Sequence, residues 1–499
     1  MSSTEPAGTP GTPVHLRDAV LSLPGYVPGA RPGAGRTAKL SSNELPFPPQ
    51  PAVLEALTEA ASGANRYPEM AADSLVAALA RRHGVDAEQI VVGNGSVALI
   101  QHVLDAVCDE GDDVVVPWRS FEAYPICIAV AGARAVTVPL TADGRHDVAA
   151  MIAAVTPRTR VVIACTPNNP TGPALTRAEL AALLDGVPER VLVLVDEAYL
   201  DFVTDAAVGD ALTLLDRHPN LVVSRTFSKA HALAGMRVGY LVGAPAIISA
   251  VRSVATPFGV GLAAQAAAMA ASRPEALAET ARRADVVVDE RERVVAALRE
   301  QGWVVPDAQG NFYWLGVGEA TARLAEHFAA AGVLVRPFAG EGVRVSVGTR
   351  EENDRVLDAA AAWEGPRGRP SPALPPASRS VRFRVEIGPV PCRDRSYSAL
   401  KSVVTRVEIG RNPARDRSFR CGVRCFGAEG CMGRVAPLRA GSAGARVRLE
   451  WWFSGVRRRG RGPLCPRVPS GGPRGDSVAR SRTSMPACVE GGRHRNYSA

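Results

Sequence analysis

Apolar and polar positions along this chain follow two rhythms. Between about residues 50 and 250, short β-branched runs are separated by amphipathic segments. The runs 89–93 (QIVVG), 113–117 (DVVVP), 160–165 (RVVIAC), 190–196 (RVLVLVD), 221–226 (LVVSRT) and 237–243 (RVGYLVG) read as strands. Segments such as 96–107 (SVALIQHVLDAV) and 176–186 (TRAELAALLDG) read as helices between them. Strands this apolar, alternating with helices, predict an α/β fold with a mostly parallel sheet covered on both faces. The Ala/Arg/Glu-rich stretch 260–300 predicts one long helix. Strands at 311–317, 333–338 and 343–348, with helices near 319–331 and 350–363, predict a smaller α+β domain. The organisation expected is an arm (1–38), a large domain (39–255), a small domain (256–364) and a low-order tail (365–499).

Charge sharpens that division. The net charge of +8 is an average over two unlike parts. Residues 365–499 hold 28 Lys+Arg and 8 Asp+Glu, which leaves 30 and 42 for residues 1–364. An acidic body is joined to an Arg-rich tail that contains an approximate repeat, 384–396 (RVEIGPVPCRDRS) and 406–418 (RVEIGRNPARDRS). Clustered arginines neutralise phosphates, so a nucleic-acid-binding arm is one reading of the tail. Its composition fits better a disordered segment, or sequence translated from GC-rich DNA outside the ancestral reading frame, and nucleic acid is not the partner expected. No apolar run reaches the roughly 18 residues that span a membrane. The first residues lack the charged-then-apolar order of a signal peptide. Cys108, Cys127 and Cys165 show no disulfide or metal-ligand spacing, and the pair in 421–425 (CGVRC) has no second pair to complete a zinc site. A reducing cytoplasm and no metal are expected.

The chemistry is sharpest at 224–240 (SRTFSKAHALAGMRVGY). The chain has only three lysines, Lys39, Lys229 and Lys401. Where charge alone is needed it uses arginine, so Lys229 in a Ser/Thr/Gly/Arg cluster suggests amine chemistry: a lysine can lose its proton and attack a carbonyl. The matching partner is a phosphate-bearing aldehyde cofactor, pyridoxal phosphate. Its phosphate could be held by Gly95, Ser96 and Val97 at a helix start, with Thr226, Ser228 and Arg237. Asp196, ending an apolar strand, suits a ring nitrogen. Tyr199 and Asn169 suit the phenolic oxygen, and Phe121 suits the ring face. Taken singly, each has a plainer reading. Residues 93–96 (GNGS) and 169–172 (NPTG) make ordinary turns, Asp196 caps a helix, and Phe121 fills a core. Their occurrence in order, at successive predicted strand ends, points to a common site.

The segments 39–49 (KLSSNELPFPP), 65–69 (NRYPE), 93–96, 166–172 (TPNNPTG), 195–199 (VDEAY), 225–240 and 343–348 (VRVSVG) together resemble fold-type I pyridoxal-phosphate-dependent aminotransferases of class I/II, in the histidinol-phosphate aminotransferase-like group. Residues 118–126 (WRSFEAYPI) and 335–348 are most similar to the actinobacterial branch of aromatic amino acid (phenylalanine) aminotransferases. The resemblance covers about 15–364 and not the tail. It implies that Lys229 forms the Schiff base and shuttles a proton. It implies that Asp196, Asn169, Tyr199, Ser96, Val97, Thr226, Ser228 and Arg237 hold the cofactor. Tyr67 would reach the phosphate of a neighbouring subunit, which implies a homodimer with shared sites. Arg344 would grip the substrate α-carboxylate, Asn43 would lie near it, and Tyr26 would line the side-chain pocket. Two departures stand out: 44–47 reads ELPF rather than ENPF, and Val97 replaces a common Asp. The function implied is transfer of an amino group between aromatic L-amino acids and 2-oxo acids. Histidinol-phosphate transamination is the alternative, with Arg336 the candidate for a substrate phosphate. A decarboxylase or lyase would share the cofactor residues, and an inactive Arg-rich binding protein is the non-enzymatic rival.

Overall fold

The computed structural model describes residues 17–21, 23, 37–368, 418–419 and 438–439. Tyr26, most of the 1–38 arm and nearly all of the tail lie outside them. Contacts divide the chain into residues 1–379 and 380–499. In the second unit the described residues are two short antiparallel strands, Ser418–Phe419 and Leu438–Arg439.

The strands of the first unit, in chain order, begin with Ala38–Lys39 (β1) and Ile90–Gly93 (β2). Then come Asp113–Trp118 (β3), Arg134–Pro139 (β4), Thr159–Cys165 (β5) and Leu192–Asp196 (β6). Leu221–Thr226 (β7) and Gly239–Gly243 (β8) complete the large sheet. Its order is β2-β8-β7-β6-β5-β3-β4, parallel except for β8, which runs antiparallel to β2 and β7. The alternation of side chains along a strand explains why the runs are apolar throughout. Val114, Val116, Ile163 and Leu194 pack into one core, and Val115, Val162, Val193 and Val223 pack into another on the opposite face. Each face is covered by helices, Gly95–Val107 and Ala123–Val130 on the first and Arg177–Gly186 on the second. Thr176 caps the last of these in a reciprocal box with Glu179, as the Thr-x-x-Glu spacing directs.

Three elements differ from the sequence reading. Strand β4 was not among the runs identified. It lies at the sheet edge and its residues are mostly half-exposed, so it lacks the continuous apolar signature. The stretch 260–300 is two helices, Leu262–Ala271 and Pro274–Glu300. Proline pushes its preceding residue out of the helical region, and Arg273 is extended (φ −70°, ψ 149°). The run 333–338 is also divided. Val333–Leu334 (β10) pairs in parallel with β1, whereas Arg336–Phe338 (β11) pairs with Gly342–Ser346 (β12), which in turn pairs with Phe312–Leu315 (β9). Val335 is where the chain changes sheets.

The smaller body packs Phe312, Leu324, Phe328 and Val356 around this three-stranded sheet. Hydrogen bonding runs past its final helix, Arg350–Ala361. The Val304 N–H donates to the Arg367 carbonyl at 2.8 Å, and Arg367 Nη2 donates to the carbonyls of Ala361 and Trp363, both at 3.0 Å. Among the described residues no helix is long and apolar enough to cross a membrane. A chain ending at Gly368 should keep the thermal stability of the full body. One ending at Glu364 should melt about 2–5 °C lower, since a few hydrogen bonds worth ~1 kcal/mol each are lost; calorimetry of the two truncations distinguishes them.

Candidate active site

Strand register gathers the polar ends. Cys165 pairs with Asp196, and Asp196 with Ser224, across β5, β6 and β7. Because β8 is antiparallel, Gly239 at its start faces both Thr226 and Gly93, the ends of β7 and β2. The four strand ends therefore share one edge, where open α/β sheets bind ligands.

Lys229 follows β7 by three residues. Its Nζ donates to the carbonyls of Ser42 (3.2 Å) and Asn43 (3.3 Å) and lies 5.5 Å from the Tyr199 ring centroid. Desolvation, then the charge of Arg344, pushes the amine down to about 7, against the opposing pull of Glu44 and Asp196. Near neutral pH a large share of Lys229 is the free amine that attacks carbonyls.

Asp196 is 3% exposed. Its Oδ2 accepts from the Tyr124 hydroxyl at 2.7 Å, while Oδ1 has no hydrogen-bond partner among the described residues. Burial raises its pKa; the Tyr124 hydroxyl, the Ala198 N–H and Lys229 oppose that rise. A buried carboxylate oxygen with an unused acceptor position is costly, and a protonated ring nitrogen would satisfy it. Nearby, the Tyr199 hydroxyl accepts from Nδ2 of Asn43 (3.0 Å) and of Asn169 (3.3 Å). Burial raises its pKa, and Arg344 partly offsets this. Asn169 Oδ1 accepts from Arg344 Nη1 at 2.6 Å, and Arg344 Nη2 donates to the Ser41 carbonyl at 2.7 Å. Asn43 is fully buried and its N–H donates to Ser346 Oγ at 2.7 Å.

A second cluster lies at the start of helix Gly95–Val107, whose first N–H groups lack intrahelical acceptors. Gly95 has φ +80°, and a Cβ there would come within 2.6 Å of Arg237 Nη2. The glycine thus lets the guanidinium lie against the helix start, beside Ser96 and Val97. Arg237 Nη1 donates to Ser228 Oγ (3.3 Å), and the Ser228 N–H donates to Thr226 Oγ1 (3.1 Å). N–H groups, hydroxyls and an arginine converging at a helix start form an anion cradle. The orphaned Asp196 oxygen, the cradle and the low-pKa amine together fit a phosphate-bearing pyridine aldehyde.

The other predicted residues fall as follows. Phe121 is half-buried, edge-on to Tyr124 with centroids 5.4 Å apart. Arg336 is buried, and its Nη2 donates to Glu122 at 2.6 Å. Tyr67 is 84% exposed and packs on Phe258, centroids 4.8 Å apart, so the single chain does not bring it to Lys229's surroundings. Among the described residues no group of His, Cys, Asp and Glu forms a metal site. Sequence reasoning missed Tyr124 and Glu122. The available signal was their nearness to Phe121, in a segment that leads into a helix facing the sheet.

Comparison with known proteins places the chain. Residues 36–359 match the model for aminotransferase class I and II. An aromatic amino acid aminotransferase of Thermobifida fusca is 50% identical over 353 residues, covering 70% of this chain and 98% of that protein. One of Streptomyces avermitilis is 49% identical, covering 72% and 97%. The crystal structure of histidinol-phosphate aminotransferase from Sinorhizobium meliloti with pyridoxal-5'-phosphate superposes with a TM-score of 0.62 at 27% identity, covering 69% of this chain and 96% of that one. Aspartate aminotransferase from Thermus thermophilus with maleate gives 0.59 at 26%, covering 65% and 91%. The chain belongs to the class I and II aminotransferase family, pyridoxal-phosphate enzymes of fold type I that act on amino acids and 2-oxo acids.

Two outcomes follow from the geometry. Reductive trapping of pyridoxal phosphate on the cofactor-free protein should rise with a midpoint near pH 7, and the midpoint should move up in Arg344→Gln, because losing a cation favours the ammonium form. A wild-type midpoint near the ordinary 10.5 would contradict the desolvation of Lys229. Tyr124→Phe leaves Asp196 Oδ2 without its donor and should cost about 1–3 kcal/mol in denaturant unfolding of the cofactor-free protein.

Proposed function

We propose that this chain is an aromatic amino acid aminotransferase, moving an amino group between aromatic L-amino acids and 2-oxo acids on pyridoxal phosphate held at Lys229. The observation that carries the aromatic choice is the pairing of Arg336 with Glu122. A phosphate-bearing substrate such as histidinol phosphate needs an unengaged cation, and this one is already neutralised. Close to it, the buried rings of Phe338 and Trp314 meet edge-on, centroids 5.4 Å apart, so the surroundings of Arg336 are aromatic. Relatives about half identical carry the aromatic name.

When bound, the cofactor supplies a cationic ring that stabilises negative charge at the substrate's Cα. The protein's own part is positional. Asp196 Oδ1 keeps the ring nitrogen protonated, and Tyr124 fixes the carboxylate plane. Tyr199 and Asn169 donate to the phenolic oxygen, and Phe121 covers a ring face. The helix start at Gly95, Ser96 and Val97 holds the phosphate with Thr226, Ser228 and Arg237. Arg344 grips the α-carboxylate; its contacts to Asn169 and Ser41 set the plane of the guanidinium fork. Asn43 lies beside it. Lys229 Nζ carries the Cα proton, which its depressed pKa suits.

The exposed side chains of Tyr67 (84%), Met70 (62%) and Phe258 (38%) support a homodimer in which Tyr67 serves the partner's phosphate. The deciding experiment is a half-reaction titration of the purified holoenzyme. L-phenylalanine should change the cofactor's visible band at a concentration at least tenfold below that needed for L-histidinol phosphate. The opposite order would assign the enzyme to histidinol phosphate.

A further inference from the structure

Two arginines stand side by side next to the proposed substrate site. Arg336 and Arg344 are direct cross-strand partners in β11 and β12, so they share one face of the small sheet. Their guanidinium carbons lie 5.7 and 5.9 Å from the centroid of Phe338. Like charges placed opposite each other repel, and a buried cation requires a counter-charge. Glu122 supplies it from the other domain, one residue after Phe121, with Oε2 accepting from Arg336 Nη2 at 2.6 Å. Glu122 occupies the N-cap position of helix Ala123–Val130 but makes no side-chain cap there, so helix capping does not account for its orientation.

The two partners are unequally enclosed. The Arg336 side chain is 7% exposed and that of Glu122 is 30% exposed. The cation is fixed in the protein, and the anion has a route to solvent. A second pair of the same kind adjoins it: Arg119 Nε donates to both oxygens of Glu341 at 3.0 Å, and its guanidinium lies over Trp118 (4.4 Å) and Phe338 (5.5 Å). The surroundings of Phe338 are therefore charged but largely self-neutralised.

We propose that Glu122 is a specificity residue that acts through Arg336. Resting on the aromatic reading above, the pair keeps the side-chain end of the site neutral toward aromatic rings. Only a substrate carrying its own side-chain anion, a carboxylate or a phosphate, competes with Glu122 for Arg336, and Glu122 then turns to solvent. The tethered carboxylate competes at high effective concentration, so anionic side chains are disfavoured until it leaves. Discrimination against an anion comes from Glu122's charge rather than from pocket size.

The test compares holoenzymes carrying Glu122→Gln, Arg336→Gln and both. Glu122→Gln should raise the ratio of kcat/KM for L-histidinol phosphate, and for L-glutamate, over that for L-phenylalanine by about tenfold or more. It should also tighten inhibition by inorganic phosphate, measured against whichever donor the wild type turns over. Adding Arg336→Gln should remove both gains, which a merely structural role for Glu122 would not produce. An unchanged ratio and unchanged phosphate inhibition in folded Glu122→Gln overturns the proposal. If that variant does not fold, Glu122→Ala, which also removes the charge, should shift the ratio and the phosphate inhibition in the same direction; no shift overturns it equally. Failure of the wild type to act on L-phenylalanine would sink the aromatic reading, and the phosphate measurement would still judge Glu122.

Discussion

A carboxylate held out of water at the end of a parallel strand sets the conditions for the rest of this molecule. Asp196 is nearly inaccessible, and burial alone would drive it to the neutral form. Three things resist that: the Tyr124 hydroxyl, the Ala198 N–H and the nearby charge of Lys229. The first depends on a helix packed against the sheet, and the last on the loop that follows β7. The carboxylate thus has its value only because β5, β6 and β7 are in register and the helix Ala123–Val130 covers their face. The same burial that raises Asp196 lowers the Lys229 amine. One enclosed volume raises the acid and lowers the base, so the two groups approach each other in proton affinity.

The site also joins two bodies of the chain. Asn169 and Tyr199 come from the large sheet, Arg344 from β12, and Asn43 from the segment beyond β1, which itself pairs with β10. These four side chains form one continuous hydrogen-bonded set. A shift between the bodies would break several of these bonds together, which is how a network fixes geometry better than single contacts do. Glu122 and Arg119 add ion pairs across the same division, each to a residue of β11 or of the turn that follows it.

The sequence disclosed what is local and hid what is not. Six of the large sheet's seven strands were legible because each is apolar on both faces, a pattern that solvent-facing strands do not carry. Strand β4, at the edge, mixes Arg134 and Thr137 with alanine and valine and left no such trace. The break at Pro274 was written in the chain, but alanine-rich periodicity on both sides outweighed it. In the site, the order of motifs anticipated the grouping of Lys229, Asp196, Tyr199 and Asn169, since each ends or follows a strand; Arg344, in the middle of β12, was suggested only by the resemblance. The partners of those residues were not legible. Tyr124 meets Asp196 across 72 positions and Glu122 meets Arg336 across 214. Such pairs depend on strand order and register, which periodicity does not encode.

The pairing of Asn43 with Ser346 spans 303 positions. Read as a timetable of synthesis, this means that the first segment of the site waits for nearly the whole body to be made. At the ~5–20 residues per second of translation, the 303 positions between the two take roughly 15–61 s to make, and for that interval Asn43 has no Ser346 to meet.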